Sequence, residues 1–274
     1  MKLLISPAKV NLGLWITGKR EDGYHDLVTV FHTVDFHDRI FIKEYHSVRV
    51  KTSSPLIPED SGNIVYKALK SFEEWTGISP EVDIFIEKNI PVGAGLGGGS
   101  SNAAVVLKEI NIMYGNPLSD EELFKLSSTV GADVPFFLKG GLAIAEGIGD
   151  RLEFLDKKID KEIFIIYPGI QVSTKEIYSK VSPDILTKKE DLHIIDSLLD
   201  DFESFLENME NTLGEIALES YPQMREVYNT LKYIGYKPFV SGSGSSIFAF
   251  GEPGTEVEKI CQVKGWKLIK TVLR

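Results

Sequence analysis

The sequence has one cysteine, Cys261, and that scarcity already excludes several architectures. A single thiol forms no internal disulfide and no cysteine-rich zinc cluster. Histidine is sparse too: His25, His32, His37, His46 and His193 include no H-x-x-x-H pair on a plausible helix. A dedicated structural metal is therefore not expected. Long apolar runs are missing, and none approaches the roughly 18 residues that suggest a membrane span. The opening MKLLISPAKVNL is interrupted at Pro7 and Lys9, well short of a signal peptide. The expected address is the cytoplasm, with no membrane association.

Basic residues are in deficit, 30 Lys and Arg against 40 Asp and Glu, for a formal net charge of −10. Nucleic-acid binding needs clustered cations to neutralise phosphates, so it is not expected. A small phosphate-bearing ligand stays open, because its site can be built from backbone N–H groups and one or two local cations. What the chain does have is the make-up of a globular protein, 43% hydrophobic and 26% charged. Its 274 residues suit two ordinary domains better than one large one.

Apolar periodicity places the motifs. Val28, Val30, His32, Val34 and Phe36 alternate, followed by Ile40 and Ile42, which reads as strand. Ile64, Ala68, Phe72 and Trp75 have helical spacing over 63–76, with Gly77 as the stop. Val82, Ile84 and Ile86 alternate in a strand over 82–88. A helical run (Ala103, Ala104, Leu107, Ile110, Met113) follows and ends at Gly115, and Ser119 with Glu122 has capping-box spacing. Further strands are expected near 141–146, 162–167, 239–241, 246–250 and 267–272. Helices are expected at 173–180, 191–208, 211–235 (divided by Pro222) and 255–263. The polar stretch at 156–161 marks a domain boundary, and strands without regular βαβ alternation point to an α+β fold.

The strongest chemical signal lies between the 82–88 strand and the next helix. Five glycines occupy seven positions, at Gly93, Gly95, Gly97, Gly98 and Gly99, and Ser100 and Ser101 follow. Glycine lets a backbone approach a bulky anion, and a helix N-terminus favours negative charge. The two serines would add hydroxyl donors and a helix cap. No Gly-Lys-Ser/Thr follows, so this is not a Walker A loop. Gly93, Gly95 and Gly98 match G-x-G-x-x-G only weakly, since four residues separate strand and first glycine. There is no H-R-D or D-F-G segment either.

Pro91 to Ser101, P-x-G-x-G-L-G-G-G-S-S, resembles the phosphate loop of the GHMP kinases. Two other motifs of that family occur in the right order, Pro7-Ala8-Lys9-Val10-Asn11-Leu12 and Ser241-Gly242-Ser243-Gly244-Ser245-Ser246. The three span nearly the whole chain. Asp22-Gly23-Tyr24-His25-Asp26-Leu27 and Gly131-Ala132-Asp133-Val134-Pro135-Phe136-Phe137 look like one branch, whose acceptor is a cytidine diphosphate-linked polyol of isoprenoid biosynthesis.

The resemblance implies a two-domain GHMP kinase fold, here 1–155 and 156–274, with the active site in the inter-domain cleft. It implies ATP and Mg²⁺ as co-substrates and requires no obligate protein partner. By resemblance Asp133 accepts the acceptor hydroxyl's proton and Lys9 pairs with it, facing the transferring phosphoryl. Without the family, Lys9 reads as a solvated surface lysine and Asp133 as a cap or turn residue. Pro91, Gly93, Gly95, Leu96, Gly97, Gly98, Gly99, Ser100 and Ser101 would hold ATP. Asn63 is either an adenine-pocket residue or an ordinary N-cap.

Tyr24 would stack on the cytosine, His25 bind its polar edge, and Tyr178 cover the other face or simply pack. Asn11 would touch the polyol or diphosphate, and Ser241 and Gly242 would buttress the loop and acceptor site. No protein ligand for the metal is identified beyond a possible loop serine. Rival readings are another acceptor of mevalonate or homoserine type and a catalytically silent nucleotide-binding module. The retained Lys9 and Asp133 oppose the silent module, and Tyr24-His25 opposes an acceptor without a base.

Overall fold

The computed structural model describes residues 1–188, 192, 195, 198 and 200–274. They form two compact units, each gathered from separate stretches of chain. The first unit holds Met1–Ala8, Phe36–Val92 and Gly97–Gly140; the second holds Lys9–Asp35, Gly93–Leu96 and Gly141–Arg274. Two long strands, β1 (Lys2–Lys19) and β2 (His25–Glu44), supply residues to both. The alternation seen along β2 is real as strand, yet Thr29, Phe31 and Thr33 between the predicted core positions are buried as well.

In the first unit, β4 (Val82–Glu87) lies between β3 (Arg49–Thr52), parallel to it, and residues Arg39–Glu44 of β2, antiparallel. Helix α1 (Ile64–Thr76) buries Val65, Ala68, Leu69 and Phe72, one stripe of a 3.6-residue period. Asn63 caps its start and Gly77, at φ 71°, ends it in the left-handed conformation a side chain resists. Helix α2 (Gly98–Met113) opens inside the glycine run, five residues before the first apolar position that announces it. Helix α3 (Asp120–Val130) starts with the expected reciprocal Ser119–Glu122 capping box. The short helix α4 (Val134–Lys139), which periodicity does not reveal, follows Asp133 directly.

In the second unit, residues Leu27–His32 of β2 pair with β5 (Leu142–Gly147), which continues in a hairpin to β6 (Arg151–Leu155). No side chain of β6 is fully buried, so its apolar pattern is thin and the sequence does not mark it. A four-stranded antiparallel sheet runs in the order β10 (Lys267–Val272), β7 (Glu162–Tyr167), β9 (Ile247–Phe250), β8 (Phe239–Val240). Around it lie α5 (Thr174–Ser179), α6 (Phe202–Glu207), α7 (Thr212–Ser220), α8 (Pro222–Ile234) and α9 (Thr255–Lys264). Pro222 divides the 211–235 region as expected, because proline is tolerated in the first turn of the new helix. The core joins Phe164, Ile177, Leu213, Met224, Val227 and Leu231. Of the helix expected over 191–208, positions 191, 193, 194, 196, 197 and 199 lie outside the described residues.

The capping box offers a clean test of local stability, since Ser119 is exposed. Ser119→Ala is expected to lower unfolding free energy by about 1 kcal/mol. Urea titration should show this as a shifted midpoint with an unchanged slope.

Candidate active site

The glycine loop owes its shape to alternation. Gly93, Gly95 and Gly97 sit at φ 68°, 75° and 69°, whereas Ala94 and Leu96 between them are buried as anchors. All four carbonyls of 93–96 meet protein donors. Val172 N–H donates to Gly93 O (3.3 Å), Ser246 N–H to Ala94 O (3.1 Å), and Lys9 N–H to Leu96 O (3.0 Å). The Ser241 hydroxyl donates to Gly95 O at 3.0 Å. Carbonyls turned inward onto protein leave the N–H side of the backbone for an anion.

At Gly95 the approach is closest: a Cβ would stand 2.2 Å from the Ser241 carbonyl oxygen and 2.7 Å from that of Gly244. The Ser241–Ser246 segment is thus seated directly on the loop. Asn211, which sequence reasoning missed, holds that segment in turn. Its Nδ2 donates to Val240 O (2.7 Å) and Gly242 O (2.8 Å), while its Oδ1 caps α7 at Gly214 N–H (2.9 Å). The only sequence signal was an ordinary N-cap.

The serines correct an expectation. Neither Ser100 nor Ser101 caps α2; the N-cap is Gly97, which makes no side-chain cap bond. The first N–H groups of α2 are therefore not filled by a cap side chain. Ser101 is fully buried and accepts from the Ser6 hydroxyl at 2.8 Å. Ser100 is half-buried, and Gly99 is exposed, where an added Cβ would make ordinary van der Waals contact with Ile64 Cγ2 at 3.6 Å. Pro91 is half-buried at the loop's entrance.

Lys9 is no solvated lysine, for only 4% of its surface is exposed. Its Nζ donates to Asn11 Oδ1 at 2.6 Å and lies 5.0 Å from the Phe31 ring centroid. Asn11 Nδ2 donates to Thr29 Oγ1 at 2.8 Å, and the Thr29 hydroxyl donates to Gly13 O at 2.6 Å. That relay fixes which end of the amide faces the cation. A Cβ on Gly242 would stand 3.2 Å from Asn11 Oδ1 and 3.6 Å from Lys9 Nζ. The second unit thus brings together Lys9, Asn11, Ser241, Gly242 and the 93–96 stretch.

A separate group forms around the Gly23 turn. Asp22 Oδ1 accepts from Tyr24 N–H at 3.0 Å, and the Tyr24 side chain stands out into solvent, 62% exposed. His25 is buried and stacks on Tyr178, with centroids 5.6 Å apart and planes at 29°. Its Nε2 is buried and has no hydrogen-bond partner among the described residues. Burial, helped by the nearby Lys19 charge, pushes the His25 pKa below the ordinary histidine value, favouring neutral imidazole. A neutral ring offers one hydrogen-bond donor and one acceptor. The structure so brings Tyr178 to His25.

In the first unit, Asp133 is half-buried at the N-cap position of α4 (φ −82°, ψ −9°) without making a side-chain cap bond. Its turn is held from α1, where Lys67 Nζ donates to Val130 O at 2.7 Å. Asn63 matches its N-cap alternative, with Oδ1 accepting from Val65 N–H (2.9 Å) and Nδ2 donating to Pro58 O (3.0 Å). Ile64, the residue after it, faces Gly99.

Because Gly95 allows no side chain, Gly95→Ala should destabilise the protein and lower turnover together, by about tenfold or more. Thermal melting and steady-state kinetics would check this. Wild-type values for both would mean the backbones can part without consequence.

Comparisons with known proteins agree with this geometry. The family model described as GHMP kinases N terminal domain matches residues 63–141, and that described as GHMP kinases C terminal matches 194–263. The 4-diphosphocytidyl-2-C-methyl-D-erythritol kinase of Persephonella marina (strain DSM 14350 / EX-H1) is 83% identical over 274 residues, all of both chains. A crystal structure of 4-(cytidine 5'-diphospho)-2C-methyl-D-erythritol kinase superposes with a TM-score of 0.80 at 32% identity, covering 99% of each chain. The Methanococcus jannaschii mevalonate kinase shares the fold at TM-score 0.75 and 18% identity, covering 100% of this chain and 98% of its own. A glycine loop locked by Ser241–Ser246, a buried Lys9 and full-length identity to named kinases place this chain in the GHMP kinase family of small-molecule kinases.

Proposed function

We propose that this chain transfers the γ-phosphoryl group of ATP to the 2-hydroxyl of 4-diphosphocytidyl-2-C-methyl-D-erythritol, in the non-mevalonate isoprenoid pathway. The observation that carries the acceptor is the 83% identity, over the whole length, to a kinase named for it. The His25–Tyr178 pair supports the same reading. A stacked imidazole with a buried, partnerless Nε2 is matched to a cytosine edge, and Tyr24 at the same turn supplies an exposed aromatic face. Neither mevalonate nor homoserine has a base for such a group to read, and the mevalonate kinase likeness extends to the fold alone.

In this reading the loop from Pro91 to Ser100 cradles the polyphosphate with backbone N–H groups and the α2 N-terminus. The Asn63–Ile64 end of α1 borders the adenine. Lys9, oriented by Asn11 and shielded by Phe31, stabilises charge on the transferring group where water is scarce. Asp133 orients the acceptor hydroxyl and takes its proton as the oxygen–phosphorus bond forms and ADP leaves. Asn11 has Oδ1 and one Nδ2 hydrogen committed to protein, so its main role is to aim Lys9.

Magnesium comes with ATP in this reading. Among the described residues no cluster of three His, Cys, Asp or Glu side chains could hold a metal. Mg²⁺ brought in with ATP is carried largely by phosphate oxygens and water. Ser100 is the loop hydroxyl available to it, since Ser101 is engaged with Ser6. When bound, the ion neutralises phosphate charge.

The two family domains are proposed to divide at 155/156, which separates the stretches matched by the two family models. We also place the protein in the cytoplasm, acting on its small-molecule substrates without an obligate protein partner. Among the described residues no helix is long and apolar enough to cross a membrane.

An ADP-release assay against diphosphocytidyl-methylerythritol, mevalonate, homoserine and galactose tests the acceptor. Turnover is expected with the first alone, and competed by CDP; preference for another alcohol would overturn the assignment. Asp133→Asn should lower kcat by about a hundredfold or more with both KM values little changed. Near-normal turnover in that variant would remove Asp133 from the chemistry.

A further inference from the structure

A polar network that the proposed chemistry does not use lies in the first unit, at the entrance to the glycine loop. Asp38, on β2, is fully buried, and Lys88 is nearly so, with 5% of its side chain exposed. The two form an ion pair. The other Asp38 oxygen, Oδ1, accepts from two successive backbone N–H groups, Asn89 at 2.7 Å and Ile90 at 2.9 Å. Those residues lead directly into Pro91 and the loop.

The network continues onto α2. Asn102, 2% exposed, donates from Nδ2 to Asp38 Oδ2 at 3.0 Å and to Ser6 Oγ at 2.8 Å. Lys88 Nζ donates to Asn102 Oδ1 at 3.1 Å, and the Ser6 hydroxyl donates to Ser101 at 2.8 Å. A Cβ on Gly98 would lie 2.9 Å from Ile90 Cγ2 and 3.2 Å from Lys88 Nζ, so the first turn of α2 is pressed onto the same group. One carboxylate therefore holds both ends of the glycine loop within this unit: the incoming segment after β4 through two N–H groups, and the outgoing helix through Asn102.

Burial of charge on this scale is costly unless every member is satisfied. A core position whose sole duty was packing would be filled as well by apolar side chains. The hydrogen bonds here go instead to the backbone just before the loop and the helix just after it. Burial pushes the Lys88 pKa below the ordinary lysine value, and the Asp38 charge opposes that shift.

We propose that Asp38, Lys88 and Asn102 are positioning residues that set the separation and register of the loop's two ends, so that their loss weakens ATP binding selectively. This rests on the reading of 91–101 as the nucleotide cradle. None of the three touches the reacting atoms in this account; they act through the backbone of 89–90 and the start of α2.

The test is a double-mutant cycle with both KM values measured, supported by calorimetric titration with ADP. Lys88→Met and Asp38→Asn are each expected to raise KM for ATP about tenfold or more while the acceptor KM stays within about twofold. The double variant should recover most of that loss, because removing both charges together leaves neither buried without its partner. Asn102→Ala keeps the ion pair and suits a helix, so it remains testable if a single charge variant does not fold. It should show the same ATP-selective rise. A role limited to folding would lower melting temperature and active fraction without changing KM for ATP, and that outcome overturns the inference. So does equal loss for both substrates without recovery in the double variant.

Gly99→Val, at an exposed position where an added Cβ meets Ile64 Cγ2 at 3.6 Å, separates the positioning role from the cradle reading. If it raises KM for ATP and Asn102→Ala does not, the positioning role fails alone. If neither changes KM for ATP, the cradle reading itself fails.

Discussion

The backbone of Gly95 lies so close to those of Ser241 and Gly244 that no side chain fits between them, and the site's organisation follows from that contact. It brings a segment 146 residues away onto the loop, where the Ser241 hydroxyl and the Ser246 N–H take two of the loop's carbonyls. The same segment carries Gly242 to the side of Lys9 and Asn11. A loop so held needs little reorganisation to receive an anion, which is the condition under which backbone dipoles stabilise charge most effectively.

Two lysines, one in each unit, have buried side chains in different settings. Lys88 lies against a carboxylate and an amide inside the first unit, a local pairing that stabilises structure when complete and is strongly destabilising, by about 3–5 kcal/mol, when one partner is removed. Lys9 is aimed by a neutral amide and an aromatic face. A hydrogen bond to a charged group contributes about 1.5–3 kcal/mol, enough to fix its direction. The first setting is an ion pair and the second joins an amide oxygen to an aromatic face.

Much of this was legible in the residues because the signals are local. Asn63, Gly77 and the Ser119–Glu122 box mark helix ends through backbone groups within a few positions, so they read correctly from sequence. The glycine run announced a backbone with positive φ, and three of its glycines have it. Where the signal was thin the reading failed. Strand β6 has no fully buried side chain, and α4 is too short for periodicity. Ser100 and Ser101 looked like caps because serine usually is one beside a helix start, but Gly97 had already opened the helix in the left-handed conformation.

Sequence alone determined the family and the place of its glycine loop along the chain, since these depend on residue type and spacing. Tertiary structure alone decided that Lys9 is buried, that Tyr178 belongs with His25, and that Asp38, Asn102 and Asn211 hold the loop's supports. The physical reason is that burial and hydrogen-bond satisfaction are properties of groups brought together from distant parts of the chain. A lysine in an apolar stretch or an asparagine before a helix carries no mark of the partner it will meet.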